Sequence, residues 1–328
     1  MTAPDEVYER ISAELSTVLI GNTDVVEGLA IAILAKGHLL LEGVPGIAKT
    51  TVANSFARAT GLDYSRVQMT PDILPADITG TEVYRRDAGT FDLQRGPIFA
   101  NMVVADEINR ATPKTQSALL EAMQEGQVTI GRQTLRLPSP FMVIATQNPI
   151  EMEGVYELPE AQRDRFQFRY QMDLLDRQDE RRVVDRFDGQ PGLGPDEIEQ
   201  VVTLDELQQA QRAVDEVYVA GVVKDFLIDI VAATRASEEM AHGASTRATL
   251  MLLRGTKARA AIHGRDYVIP DDVLALAEPA LAHRLVLDTE ADLSGRTTEG
   301  VLTDIVASVD VPEVDLDEAA AGADVAQK

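Results

Sequence analysis

Short apolar runs alternate with helical segments along the first half of the chain. The helical segments carry apolar residues at every third or fourth position, as an amphipathic helix does. The runs have the length of buried strands and lie at His38–Glu42, Tyr64–Gln68, Met102–Ala105, Phe141–Thr146 and Phe168–Met172. Buried strands that alternate with helices predict an α/β fold around a parallel sheet.

Two stretches interrupt this alternation. Val83–Gln94 contains a turn signal at Asp87–Gly89, and Gln127–Leu137 contains one at Gly131–Arg132. Each stretch is typical of a β-hairpin. We expect both hairpins to project from the α/β core.

The second half of the chain has a different pattern. A Gly- and Pro-rich linker is predicted at residues 188–199, and strand signals largely disappear after it. The helical segments that follow are Leu204–Glu216, Val222–Ser237, Ala248–Ile262 and Pro270–His283. We therefore predict an α/β domain at residues 1–187 and a small all-helical domain at residues 200–309. Residues 310–328 are acidic and rich in Ala, and we expect them to form a disordered tail.

Composition restricts the kinds of site and partner. The 328 residues include no Cys, which excludes disulfides and thiolate metal sites, and the four His lack the spacing of zinc ligands. A net charge of -24 disfavours binding to nucleic-acid phosphates. No apolar run reaches the roughly 20 residues of a membrane span, and the acidic start does not resemble a signal peptide. We therefore expect a cytoplasmic protein with no membrane insertion.

A loop of small residues joins the first predicted strand to a helix. Such a loop lets backbone N–H groups surround phosphate oxygens, whereas the alternative is an ordinary turn before an unrelated helix. Lys49 would supply positive charge to the β- and γ-phosphates, and the Thr50 hydroxyl would bind Mg²⁺. Ala48 replaces the second Gly of the strict motif, and it fits if that position has a negative φ, because the cost there is only a methyl group. The predicted nucleotide-binding residues are Gly43, Val44, Pro45, Gly46, Ile47, Ala48, Lys49, Thr50 and Thr51.

Two later apolar runs end in polar residues. Asp106 and Glu107 follow one run, and we expect Asp106 to hold Mg²⁺ through water and Glu107 to polarise the attacking water as a general base. Asn148 follows another run and could orient that water or contact the γ-phosphate. The alternative for each is a solvated strand end. The position of Asp106, 57 residues after Lys49, favours the catalytic interpretation.

Three arginines are candidates for contact with a phosphoryl group. Arg163 and Arg165 lie near the end of the α/β domain, and an arginine inserted by a neighbouring subunit can stabilise the charge on a transferring phosphoryl group. Arg247 lies in the first turn of a helix that Ser245 can cap, where a cation indicates an anionic partner. The alternative for all three is a solvated or salt-bridged surface arginine.

Together these motifs resemble the MoxR family of AAA+ ATPases. The resemblance covers about residues 15 to 285. The segments that carry it are Gly43–Thr50, Thr70–Gly80, Gly96–Asn101, Asp106–Ala111, Lys114–Glu125, Ala145–Pro149 and Leu158–Phe166. Two positions depart from the family pattern. Arg163 stands where an apolar residue is usual, and Thr246 stands where Pro is usual.

The resemblance implies a P-loop αβα nucleotide-binding domain, a helical lid and hexameric rings that bind ATP and Mg²⁺ at subunit interfaces. It also implies that Asn148 is sensor 1, Arg165 the arginine finger and Arg247 sensor 2. By the same resemblance, the hairpins correspond to a helix-2 insert at residues 72–95 and a pre-sensor-1 hairpin at residues 127–137. Family members are chaperone-like, often act with von Willebrand factor A domain proteins, and help to mature enzyme complexes.

Three functions are compatible with these features. A protein-remodelling ATPase is the interpretation that we favour. A nucleic-acid motor is the alternative, because the hairpins carry Arg85, Arg86, Arg132 and Arg136, but these can equally be solvated charges that protect sheet edges. The net charge and the scarcity of aromatic residues on the hairpins disfavour nucleic acid. A scaffold with incidental turnover is disfavoured by the intact Lys49, Asp106, Glu107 and Arg165.

Overall fold

The computed structural model describes residues 2–87, 89–148, 155–189 and 194–313. Its strands, in chain order, are β1 (Leu39–Glu42), β2 (Tyr64–Gln68), β3 (Gly80–Arg85), β4 (Thr90–Arg95), β5 (Met102–Asp106), β6 (Gln127–Ile130), β7 (Gln133–Arg136), β8 (Met142–Gln147), β9 (Phe168–Gln171), β10 (Met240–His242) and β11 (Val286–Leu287). Five of these strands form one parallel sheet in the order β2-β5-β8-β1-β9. The predicted α/β fold is therefore confirmed.

Helices cover both faces of this sheet. In chain order they are α1 (Pro4–Ser16), α2 (Thr23–Leu34), α3 (Lys49–Ala59), α4 (Pro75–Thr79), α5 (Pro113–Glu125), α6 (Glu160–Arg163), α7 (Arg177–Gly189), α8 (Leu204–Glu216), α9 (Gly221–Ala236), α10 (Thr246–Ile262), α11 (Pro270–Leu281), α12 (Thr289–Leu293) and α13 (Thr298–Ser308). None of the helices that the structure describes is both long and apolar enough to cross a membrane.

Alternate residues of the central strands face opposite sides of the sheet. In β1, Leu39 and Leu41 pack in one hydrophobic cluster and Leu40 packs in the other. The same alternation occurs in β5 and β8, because successive side chains of a strand point in opposite directions. Each of these fully buried leucines contributes about 1.5–3 kcal/mol. The result is a three-layer αβα core.

Both predicted hairpins are present. Strands β3 and β4 pair antiparallel, and so do β6 and β7. In the first hairpin the rings of Tyr84 and Phe91 pair across the strands with centroids 5.1 Å apart, and both side chains are more than half exposed. The Glu82 carboxyl group lies against Gly131 of the second hairpin. The two projections therefore lie side by side.

The second half of the chain is helical, with one small exception. Its helices begin at polar caps: the Thr203 side chain accepts from the Glu206 N–H at the start of α8, and Ser245 accepts from Ala248 N–H at the start of α10. The exception is a two-stranded antiparallel pair, β10 and β11, which the sequence pattern did not reveal. Helix α13 was also not predicted as an element, although Thr297 caps it.

The hydrophobic cluster on one face of the sheet extends into the helical region. Helix α1 packs against α3 and also against α8 and α10. Val7, Ile11 and Leu15 of α1 belong to the same cluster as Leu207 of α8 and Leu252 of α10. The division at residues 188–199 stays a prediction, because residues 190–193 lie outside the described ones. Pro149 and residues 314–328 of the predicted tail also lie outside them.

Candidate nucleotide site

The loop from Gly43 to Ala48 connects the end of β1 to the start of α3. Gly43 has φ 153°, and a Cβ atom there would lie 2.3 Å from the Ile47 Cδ1 atom and 2.5 Å from the Met172 carbonyl oxygen. Gly46 has φ 87° and faces open space. Both positions therefore need glycine, one for close packing and one for its backbone conformation.

The alanine that follows Ile47 has an unusual backbone conformation. Ala48 has φ 66° and ψ 21°, in the left-handed region, so the condition of a negative φ is not met. A left-handed conformation costs a residue with a Cβ atom about 1–2 kcal/mol. The loop therefore holds Ala48 in a conformation that the strict glycine motif would adopt without strain.

The start of α3 is open to an anion. Helix α3 has no side-chain cap and no acidic residue in its first turn, so its first N–H groups have no side-chain acceptor. The Lys49 Nζ atom donates to the carbonyl oxygens of Gly43 and Val44, the latter at 3.1 Å, which holds the ammonium group inside the loop. Burial lowers the pKa of Lys49, and the carboxylates of Asp106 and Glu107 act in the opposite direction.

Asp106 lies at the end of β5 and is held by three side chains. Its carboxylate accepts from Thr146 Oγ1 at 2.5 Å, from Arg66 Nε at 3.1 Å and from Thr50 Oγ1 at 3.4 Å. Burial would raise the pKa of Asp106, but the hydrogen bonds from Thr146 and Arg66 outweigh it and the pKa is lowered. Asp106 is therefore a carboxylate at neutral pH.

Glu107 follows Asp106 in a left-handed conformation, with φ 56°. Its N–H group donates to Thr146 Oγ1 at 2.9 Å, and its carboxylate accepts from Gln68 at 2.8 Å and from Arg110 at 3.0 Å. A non-glycine residue in this region is held there by its surroundings, and such residues concentrate at functional sites. The hydrogen bonds from Gln68 and Arg110 orient the carboxylate.

These residues line one cavity of about 510 Å³ at the carboxyl edge of the sheet. Its lining comprises Pro45, Gly46, Ile47, Ala48, Lys49, Thr50, Thr51, Arg66, Gln68, Asp106, Glu107 and Asn148. The structure thus brings together all of the predicted phosphate and catalytic residues except Gly43, Val44, Arg165 and Arg247. Gly43 and Val44 contact the site through their carbonyl groups, which accept from Lys49.

The sequence interpretation missed Arg66 and Gln68. Both residues belong to β2, which pairs in parallel with β5 so that Gln68 lies opposite Asp106. Their spacing of two places them on one face of the strand. That spacing was the available signal, but only the strand order shows which residues they meet.

Arg165 and Arg247 line a second cavity of about 550 Å³. The turn that carries Arg165 is bound to the start of β1, because Gln167 N–H donates to the His38 carbonyl oxygen at 2.8 Å. Arg247, in the first turn of α10, lies 3.9 Å from the Asp164 carboxylate. In the described ranges no acceptor pairs with the Arg165 side chain, and its Nε atom is buried. Arg163 ends α6, and its Nε atom is likewise buried without a partner among the described residues.

Both halves of the chain match families of known proteins. Residues 38–168 match the family described as ATPase family associated with various cellular activities (AAA), and residues 232–305 match the AAA lid domain. The chain is 42% identical over 323 residues to chaperone MoxR1 of Mycobacterium tuberculosis, which covers 96% of this chain and 85% of the relative. It is 31% identical to protein MoxR of Methylorubrum extorquens, with 85% and 87% of the two chains covered.

The chain belongs to the MoxR family of AAA+ ATPases. A crystal structure of a candidate ATPase from Cytophaga hutchinsonii is similar to it, with a TM-score of 0.87, 38% identity and coverage of 94% of this chain and 96% of the other. The AAA+ nucleotide domain and helical lid that the sequence predicted are confirmed. So is the assignment as an ATP-hydrolysing enzyme.

The cavity at the carboxyl edge fits ATP and Mg²⁺. The open N-terminus of α3, the two glycines and Lys49 provide N–H groups and a positive charge for a polyphosphate. Thr50 Oγ1 and Asp106 Oδ2 are 3.4 Å apart. Both are oxygen donors of the kind that Mg²⁺ prefers, and together they would hold the ion.

Proposed function

We propose that this protein hydrolyses ATP with Mg²⁺ at the subunit interfaces of a homo-oligomeric, hexameric ring and uses the cycle to remodel a client protein complex. We place it in the cytoplasm, with a von Willebrand factor A domain protein as a candidate partner. Membership of the MoxR family supports the chaperone-like part of this proposal. The arrangement of charged groups at the two edges of the sheet supports an active site that two neighbouring subunits share.

Arg165 and the phosphate-binding loop lie at opposite edges of the sheet. The loop leaves β1 after Glu42, whereas Arg165 precedes Phe168, which pairs with Leu39 at the other end of β1. Four strand residues separate the two edges by about 13 Å. Arg165 therefore cannot reach a phosphate bound in its own loop. An unpaired arginine at the opposite edge is placed for a nucleotide that a second copy holds, and this observation carries the proposal.

Each residue at the loop has a role in this reaction. Lys49 and the N–H groups of α3 bind the β- and γ-phosphates, and Thr50 and Asp106 hold the Mg²⁺. The ion would neutralise charge that develops on the phosphate oxygens. Glu107 would accept the proton of the attacking water, and Asn148 would orient that water. From the neighbouring subunit, Arg165 and Arg247 would stabilise the transferring phosphoryl group.

We assign a third cavity, of about 520 Å³, to the nucleobase. It lies between α1, the segment Leu19–Gly21 and α7. The Leu175 side chain lies against Gly21, and the Met172 carbonyl lies against Gly43. Three residues of extended chain span at most about 10 Å, so this cavity lies within one nucleotide's length of the phosphate-binding loop.

Mixing of impaired subunits tests whether the site is shared between two subunits. Arg165→Ala subunits keep an intact phosphate-binding loop, and Glu107→Gln subunits keep an intact Arg165. Because rings form through head-to-tail interfaces, an equimolar mixture should recover about one quarter of the wild-type turnover, although each variant alone keeps only a small residual turnover. The measurement is ATP hydrolysis in the presence of Mg²⁺ before and after subunit exchange.

The control mixture combines Lys49→Ala with Glu107→Gln subunits. Both changes lie at the carboxyl edge of the sheet, so every interface in that mixture lacks one residue and turnover should stay at the residual level. If Arg165→Ala and Glu107→Gln subunits also fail to restore turnover, the proposal of a site shared between two subunits is wrong.

A nucleic-acid motor is the alternative function. The hairpins present Arg86, Arg132 and Arg136 with no ion-pair partner among the described residues, beside the exposed Tyr84 and Phe91. Arg85, by contrast, pairs with Asp92 at 2.7 Å. The net charge of -24 opposes a polyanion over the rest of the surface. We therefore favour a protein client for the hairpins.

A further inference from the structure

The turn after α6 presents Arg165 and depends on another part of the chain for its shape. Helix α6 has only four residues, and the chain turns from its end into β9 through Asp164, Arg165, Phe166 and Gln167. The last carbonyl groups of a helix have no N–H partner within the helix and need hydrogen-bond donors from outside it. A short helix therefore cannot fix this turn by itself.

Arg284 supplies those donors. Its guanidinium group donates to the carbonyl oxygens of Asp164 and Gln167, each at 3.3 Å, and to that of Phe166. Its Nε atom donates to the Asp164 carboxylate at 2.8 Å. One side chain thus binds the backbone on both sides of Arg165. The side chain of Arg284 is only 2% exposed, so water does not compete for these bonds.

Neighbouring groups complete this arrangement. His283 Nε2 donates to the Phe166 carbonyl oxygen at 3.1 Å. The Asp164 carboxylate also accepts from the Ser245 hydroxyl at 3.4 Å and lies 3.9 Å from Arg247. Asp164 therefore links the turn that carries Arg165 to the start of the helix that carries Arg247. We call Asp164, His283 and Arg284 the clasp.

We propose that Arg284 is a positioning residue for ATP hydrolysis: through the clasp it holds Arg165 in an arrangement that faces the nucleotide of the neighbouring subunit. This inference rests on the proposed function of Arg165. Since Arg284 belongs to the helical region and Arg165 to the α/β region, a shift between these regions changes the position of Arg165. The clasp is thus one physical connection between lid and finger.

The chemistry of the clasp requires arginine. The planar guanidinium group reaches several acceptors in fixed directions, whereas the ammonium group of lysine is a single point charge. Burial lowers the pKa of Arg284 to about 10, against the effect of Asp164, so the group stays charged at neutral pH. Arg284→Lys therefore keeps the charge beside Asp164 and loses the set of carbonyl contacts.

The test is a double-mutant cycle on the turnover number. Arg284→Lys should lower kcat about 100-fold, as a misplacement of roughly 1 Å can do, and leave the KM for ATP unchanged. The double variant Arg165→Ala/Arg284→Lys should be no slower than Arg165→Ala alone, because Arg284 acts through the residue that it positions. Asp164→Asn repeats the cycle from the other partner if Arg284→Lys does not fold.

Arg265→Lys is the matched control. Arg265 forms two hydrogen bonds of 2.7 Å with the buried Asp272 in the same helical region and touches neither the turn nor Arg165. It should lower the melting temperature as Arg284→Lys does but keep kcat. This comparison separates loss of stability from loss of positioning.

Two outcomes would overturn the inference. One is normal kcat in Arg284→Lys, and the other is multiplied losses in the double variant, which would show that Arg284 acts independently of Arg165. Failure of the subunit-mixing experiment is a different result. It would reject the shared site, whereas the cycle would still show whether Arg284 acts through Arg165.

Discussion

Two residues of the nucleotide site, Ala48 and Glu107, have backbone conformations that their side chains disfavour. Their φ angles are 66° and 56°. The sequence motifs identified both positions, because they depend on residue type and spacing. They did not reveal the sign of φ, which the surrounding loop and the hydrogen bond from Glu107 N–H to Thr146 impose.

Ala48→Gly tests the strain at the first of these positions. The change removes about 1–2 kcal/mol of left-handed strain and adds about 0.5–1 kcal/mol of backbone entropy loss. We expect the free energy of unfolding to rise by up to about 1 kcal/mol, with turnover retained because the N–H groups of the loop are unchanged. Denaturant unfolding and ATP hydrolysis measure the two effects.

Ala13→Gly is the control for this change. Ala13 is exposed inside α1, where glycine should lower the free energy of unfolding by about 1 kcal/mol. An equal loss of stability in Ala48→Gly would contradict the left-handed conformation of Ala48.

At the scale of secondary-structure elements, the His38 side chain connects two strands and a helix. It directly precedes β1, its Nδ1 atom accepts from Val143 N–H of β8 at 3.0 Å, and its Nε2 atom donates to the Met123 carbonyl of α5 at 3.2 Å. Full burial lowers the pKa of His38 to about 4, although the Met123 carbonyl acts in the opposite direction. Both hydrogen bonds need the neutral ring, because a proton on Nδ1 would face the Val143 N–H group.

The stability that neutral His38 contributes should depend on pH. Its pKa is 6.5 in the unfolded chain and about 4 in the folded one, so the contribution is complete above pH 6.5 and is lost as the pH falls toward 4. Between pH 6.5 and 5 we expect a loss of about 2 kcal/mol in the free energy of unfolding. His38→Gln should be less stable at pH 7.5 and show a shallower decline in this interval.

The control is His242→Gln, at an exposed position of β10. It should leave the decline unchanged. His283 is also buried with a lowered pKa, so part of the decline should persist in His38→Gln. The same slope in wild type and His38→Gln would show that His38 does not titrate as its burial indicates.

At the scale of the whole molecule, the hydrophobic core and the clasp connect the α/β region with the helical region, which are separate in the sequence. One hydrophobic cluster runs from α1 through the sheet to α11, and the clasp crosses from the helical region to the end of the α/β region. The molecule carries 54 acidic and 30 basic residues, so repulsion of polyanions dominates over most of its surface. The hairpin arginines are a local exception.

This charge balance predicts the response to nucleic acid. Single- or double-stranded DNA should not stimulate ATP hydrolysis even at low salt, about 50 mM KCl, where attraction to phosphates is strongest. Arg132→Gln/Arg136→Gln should have the same turnover with and without DNA. Stimulation that salt removes and that this double variant loses would instead favour the nucleic-acid motor.

The sequence by itself determined the elements and the chemistry of the loop. The strand before Gly43, the helix after Lys49 and the acidic pair at Asp106 were readable because each is a local pattern of residue type and spacing. The same is true of both hairpins, whose turns contain glycine. These features require no knowledge of what packs against them.

Tertiary structure decided which residues meet. Arg66 and Gln68 became part of the site because β2 lies beside β5, and Arg284 reaches Asp164 across 120 residues of chain. The separation of Arg165 from its own loop follows from the parallel pairing of β1 and β9. Contacts between distant residues depend on strand order and packing, which leave no periodic signal in the sequence.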